Sequence, residues 1–153
     1  MTMTELSDLC TNLQTIWHEQ IPLSKAMDMH IVSFANDTLT CRASLAPNVN
    51  VHGTAFAGSL YAIQALTGWG MMYLQLQLHE LDASIVIANG NIDYTKPVAE
   101  HIVVRCQFGQ HAKTMQQLEV IGKARFQLSC EVLVGDGSCA GRFTGDYAVR
   151  LNR

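Results

Sequence analysis

From Ala43 to His79 the chain carries no Asp, Glu, Lys or Arg. A run of this length without a formal charge is built for an interior, and it sets the terms for everything around it. From Thr54 to about His79 the pattern reads as one long helix. That helix is apolar nearly all round, so it is buried on most of its faces. Small residues crowd its first turns: Ala55, Ala57, Gly58, Ser59 and Ala62. They let a sheet or a ligand approach the backbone closely. The run also contains Ser59, Gln64, Thr67, Gln75 and Gln77 and lacks flanking Lys or Arg. It therefore reads as a core helix and not as a membrane span.

A buried helix needs elements to bury it. Residues 4–21 read as an amphipathic helix, with Leu6, Leu9, Cys10, Leu13, Ile16 and Trp17 at helical spacing. Thr2 and Glu5 are placed for a capping box, and Pro22 lies just past the end. Met27–Phe34 reads as a weak strand. Leu39, Cys41, Ala43 and Leu45 alternate with polar residues as a half-buried strand, and Asn36-Asp37 marks the turn between the two. After the helix, strands are expected over Ser84–Tyr94, Ile102–Phe108, Ala124–Val134 and Ser138–Val149, with Asp136-Gly137 as a hairpin turn. No βαβ alternation occurs, so the order predicts an antiparallel α+β domain, with a curved sheet wrapped around one helix.

The length of 153 residues fits a single domain over 1–153. Hydrophobic residues make up 48% and charged residues 15%, against a usual charged share of roughly 25%. The excess apolar surface must lie either in the chain's own core or against a partner subunit. A net charge of −3 gives no nucleic-acid footprint. The five cysteines are odd in number and none stand at CxxC spacing, which argues against a disulfide framework or a structural zinc site. With no basic-then-apolar leader pattern at the N-terminus, a reducing cytoplasm is the expected location. Among the six histidines no HExxH pattern occurs, so no metal site is expected.

Asn48–Tyr61 reads NVNVHGTAFAGSLY, a neutral polar cluster at the mouth of the greasy helix. His52-Gly53-Thr54 resembles the His-Gly-Gly opening of the central helix in acyl-CoA thioesterases of the hotdog fold. Asn91–Val98, NIDYTKPV, is similar to the strand that follows that helix. Together with Trp69-Gly70, the motif most resembles the YiiD-type C-terminal thioesterase-like domains, over roughly residues 24–149. The resemblance implies a hotdog fold, a thioester substrate and sheets paired edge to edge between subunits. Together with the excess apolar surface, it leads us to expect a homodimer at least. It also implies that the Gly53 N–H polarises the thioester carbonyl.

Elementary electrostatics agrees, since a helix start offers unpaired N–H donors and a positive dipole end. Thr54 is expected to cap the helix, with its hydroxyl near the pocket. Relatives commonly place a catalytic Asp or Glu nine residues after the His. Here that position is Tyr61, and Leu60 and Ala62 offer no carboxylate either. Gln64, one turn further on the same face, can orient a water or be a satisfied buried amide. Ser59 can serve as a nucleophile only if His52 and Asp93 complete a triad, and its flanks do not form a nucleophile elbow. Asn48 and Asn50 either make turns or contact substrate or water, and His52 either steadies the turn or exchanges a proton.

Two functions remain open on these residues. One is an acyl thioester hydrolase acting on acyl-CoA or acyl carrier protein, with water positioned by some combination of Asn48, Asn50, His52, Tyr61 and Gln64. The other is a non-catalytic acyl-CoA or acyl-chain binding module. No cofactor is implied. For CoA phosphates, Lys96, Arg105, Lys113, Lys123, Arg125 and Arg142 are the candidate cations, although strand faces ordinarily carry such residues in solvent.

Overall fold

A computed structural model describes all 153 residues. The elements run α1 (Met3–Gln20), α2 (Pro22–Ala26), β1 (Met29–Ala35), β2 (Thr38–Ala43), α3 (Ala57–Leu78), β3 (Ala83–Tyr94), β4 (Ile102–Gln107), α4 (Ala112–Ile121), β5 (Lys123–Leu133) and β6 (Cys139–Leu151). A short 3-10 turn, Ala46–Asn48, leads from β2 toward α3. The six strands form one antiparallel sheet in the order β1-β2-β4-β5-β6-β3. Helix α3 lies in its concave face, the arrangement that the hotdog resemblance implies.

The strand alternation decides which residues meet the helix. Along β5, Ala124, Phe126, Leu128, Cys130 and Val132 point inward while Arg125, Gln127 and Ser129 point outward. Such period-two patterning fixes the register, because a slip of one residue would expose the whole apolar set. Two part-buried hydrogen bonds then lock α3 to the sheet. Tyr147 donates its hydroxyl to Ala65 O at 2.7 Å, and Trp69 Nε1 donates to Ile85 O at 3.1 Å. Cys41, Cys106 and Cys130 are buried in this core as small apolar side chains, and all five cysteines are free. No helix is long and apolar enough to cross a membrane.

The N-terminal capping box forms as the sequence predicts, with Glu5 N donating to Thr2 Oγ1 and Thr2 N to Glu5 Oε2. Asn36 and Asp37 both adopt positive φ in the β1–β2 turn. The weak strand expected from Met27 begins instead at Met29, because Pro22–Ala26 forms an extra helical turn whose first position suits proline. Helix α4 is absent from the expected elements. It fills the β4–β5 connection and covers β5 where β4 no longer pairs with it, since that ladder spans only Val103–Cys106 and Cys130–Leu133. Met115 and Leu118 bury one side of α4, and Gly122 ends it in the left-handed conformation that lacks a Cβ penalty.

Candidate active site

Helix α3 begins at Ala57, three residues later than the sequence suggests, and its N-cap is Phe56 with no side-chain cap. Thr54 is therefore not the capping residue. Its hydroxyl is engaged earlier in the loop, where Asn50 Nδ2 donates to it at 2.9 Å. The loop is organised around Asn50. Its Oδ1 accepts from His52 N at 2.8 Å and Thr54 N at 3.1 Å, and Gly53 N donates to Asn50 O at 3.2 Å. Gly53 sits at φ +79° in this turn, ahead of the helix, and His52 is exposed.

Asn48 ties three elements together. Its Nδ2 donates to Met27 O at 2.8 Å and Ser44 O at 2.7 Å, and its carbonyl accepts from Phe56 N at 2.7 Å. The residue is 2% exposed, yet its Oδ1 has no protein partner. A buried acceptor without a donor is costly, so this oxygen is a place for water or ligand. The residue, with this oxygen turned inward, belongs to the wall of a cavity of about 260 Å³ together with Pro47, Phe56, Gly58, Ser59 and Ala62.

The helical ladder of α3 opens with Leu60 N to Phe56 O at 3.0 Å. The N–H groups of Ala57, Gly58 and Ser59 precede it and form the positive end of the helix dipole. Past Ala62, Leu23 and Met27 the cavity continues into a second one of about 220 Å³. Only apolar residues line it, among them Ala65, Leu66, Trp69 and Ile87. The pocket thus has hydrogen-bond donors at one end, the Asn48 side chain in its wall and an apolar trough beyond. It can hold an acyl group and concentrate partial positive charge on a carbonyl oxygen.

The remaining sequence candidates divide around α3. Tyr61 is on another flank, edge-on to Phe143 at 5.2 Å, and a Cβ at Gly90 would overlap its hydroxyl. Only glycine at 90 leaves room for that phenol. Burial, and then the nearby Tyr61, push the Tyr94 phenol above its ordinary value, and Tyr94 donates to Ala57 O at 2.7 Å. Gln64 is fully buried. Its Nε2 donates to Leu60 O at 3.0 Å, its Oε1 has no protein partner, and it does not line the cavity of Asn48 and Ser59. Asp93 is paired in register with Arg142 on the outer face of the sheet, away from Ser59. No Ser-His-Asp relay forms within one chain. No group of three or more His, Cys, Asp or Glu converges to hold a metal.

Sequence reasoning missed Leu23, Met27 and Phe56 as pocket walls. The small residues of the first helical turns were the signal that something approaches α3 there.

The family described as "Putative thioesterase (yiiD_Cterm)" matches residues 10–151. The chain belongs to this family. A structure described as the putative thioesterase from Shewanella oneidensis is 38% identical, with a TM-score of 0.84 over 93% of this chain and 97% of that one. A Chlorobaculum tepidum TLS protein described as of unknown function is 30% identical, with a TM-score of 0.90 over 96% and 97%. A Pseudomonas aeruginosa protein described as a probable thioesterase shares the fold at 15% identity and TM-score 0.80, over 93% and 95%. The fold of this YiiD-type family member is the hotdog fold.

Proposed function

We propose that this family member is a homodimeric, cytoplasmic hydrolase of acyl thioesters carried by CoA or acyl carrier protein. The observation that supports this best is the uncapped first turn of α3, which opens into a charge-free pocket that continues as an apolar trough. The thioester oxygen accepts from the N–H groups of Gly58 and Ser59, and not from Gly53 as the resemblance implies, because the Gly53 and Thr54 N–H groups are already donated to Asn50. Water attacks the carbonyl carbon, the carbon–sulfur bond breaks and the thiolate leaves. A thiol has an ordinary pKa of about 8.5, so it departs as the anion without a general acid. Asn48 Oδ1 accepts one hydrogen bond from the attacking water, and Asn50 holds the loop that carries His52. His52 or solvent takes the proton. Removing one oxyanion donor costs about 100- to 1000-fold elsewhere, which sets the scale for this site.

The test is steady-state hydrolysis of a panel of acyl-CoA and acyl carrier protein thioesters. Asn48→Ala and Asn50→Ala are each expected to lower turnover by more than about tenfold, less than the roughly 100-fold or more of a group that itself transfers a proton, because both act by positioning. Ser59→Ala is expected to lower it less. A second reading, a binding module for acyl-CoA, is favoured by one observation: α3 carries no carboxylate to act as base. Tight acyl-CoA binding with no hydrolysis above background decides for that module.

A further inference from the structure

A groove of about 740 Å³ lies on the outer face of the sheet, away from α3. Its charged lining is Lys123, Arg125 and Arg150, with no carboxylate among the lining residues. The register explains why these cations crowd together. Lys123 stands directly opposite Arg150 on β6, and Arg150 opposite Ser84 on β3. In the next row Arg125 stands opposite Ala148, and Ala148 opposite Val86. Like charges directly across a ladder repel, and none of the three makes an ion pair. Arg105 and Arg142, by contrast, share Glu131. The floor is apolar at Val86 and Ala148, and Gln117 of α4 closes one side. A flat ring with phosphates attached fits such a place. The ring lies on the apolar floor, and the phosphates relieve the repulsion while accepting from the guanidinium forks.

We infer that this groove binds the adenosine 3′-phosphate 5′-diphosphate end of coenzyme A, a reading that rests on the thioester function proposed above. Within one chain the groove is remote from α3's first turn. Ser84 and Val86 begin β3 while Tyr94 ends it beside Ala57, roughly 30 Å away at ~3.3 Å per residue. Antiparallel pairing of the free β3 edge with a second copy removes the separation along the strand and leaves only the thickness of the sheet for the pantetheine arm to span. It sets the start of β3 in one protomer beside the end of β3 in its partner. The nucleotide then sits on one subunit and the thioester in the other.

Titrating the full-length protein with adenosine 3′,5′-bisphosphate, by calorimetry, tests the groove without any thioester. Saturable binding is expected, at least tenfold weaker in Lys123→Gln, Arg125→Gln and Arg150→Gln. All three are exposed, and a thermal melt confirms that each variant folds. The same substitutions should raise KM for acyl-CoA more than KM for the truncated acyl-pantetheine. Two results overturn the inference: no nucleotide binding at millimolar concentration, or binding that all three variants retain. A variant-sensitive affinity for an acidic carrier protein, with none for the nucleotide, overturns it as well. Hydrolysis of acyl-pantetheine as efficiently as acyl-CoA removes the groove from catalysis and leaves the thioester reading standing. Nucleotide binding without hydrolysis does the reverse.

Discussion

The sheet has two edges, and they are treated in opposite ways. The edge at β1 is covered. Helix α1 lies along it and supplies side chains to its unpaired backbone: Ile31 N donates to Gln14 Oε1 at 2.8 Å, and His18 Nε2 donates to Met29 O at 2.7 Å. The edge at β3 is bare over twelve residues, with Val86, Ile87 and Tyr94 exposed. A bare strand edge is a template for another chain, and proteins that do not use one usually blunt it with charge, proline or a covering element. Between Ser84 and Gly90 none of those devices is present. One edge is closed within the chain and the other is left open. The pocket beside α3 reaches that open side, since Ile87 lines its apolar trough.

The most severe way to break this contrast is to detach α1. Trp17 is fully buried and anchors the helix to the core. Trp17→Ala should cost about 3–5 kcal/mol, as truncation of large buried side chains does. Urea unfolding reads the loss directly. A change under 1 kcal/mol would mean that α1 is dispensable to the core and that the β1 edge is covered for some other reason.

Next in size is the open edge. Ile87→Lys places a charge where two copies of β3 would meet. The dimer dissociation constant should rise about 100-fold, roughly 2.8 kcal/mol. Light scattering over a concentration series measures it. A wild type that is monomeric at micromolar concentration removes the premise altogether.

A gentler test returns to β1. Gln14→Ala removes the acceptor for Ile31 N and leaves Trp17 in place. The expected cost is about 1 kcal/mol, the net value of one such hydrogen bond. Wild-type stability in this variant would show that water serves the β1 backbone as well as Gln14 does.

How much of this was legible in the sequence follows from the range of the interactions involved. The long helix, the strands and the Asn36-Asp37 turn were readable because periodicity and turn chemistry are local. Helix α4 was also written locally, in Met115 and Leu118 three residues apart and Gly122 after them, but on a segment short enough to pass for a loop. Thr54 misled because a hydroxyl ahead of an apolar run is the usual cap signal. Asn50, four residues back, took that hydroxyl instead. The free oxygen of Asn48 and the opposite flanks of Ser59 and Gln64 depend on where α2 and β5 pass. No local pattern carries that information. The bareness of β3 likewise required the strand order, since the sequence does not say which strand is last.

The smallest expected effect lies where β1 starts, and pH exposes it. Asp28 adopts a positive φ of 55° in the turn that delivers the chain from α2 into β1. Hydrogen bonds from the Ser44 hydroxyl, and then from His30, hold its carboxyl below the usual value. A carboxyl depressed in the folded state contributes stability that is present above its unfolded pKa, about 3.9, and lost as pH falls through the folded value. The β1 side should therefore loosen on acidification below about pH 4, on that same reference pKa. Asp28→Asn keeps the shape but cannot titrate, so its stability should be less dependent on pH across that window than the wild type's. The pair is solvated, which makes the difference small, and it should shrink further in high salt. Chemical denaturation of wild type and Asp28→Asn at pH 3 and pH 6 makes the comparison. Parallel curves would show that the turn is held by its backbone alone, and that α1 by itself covers the β1 edge.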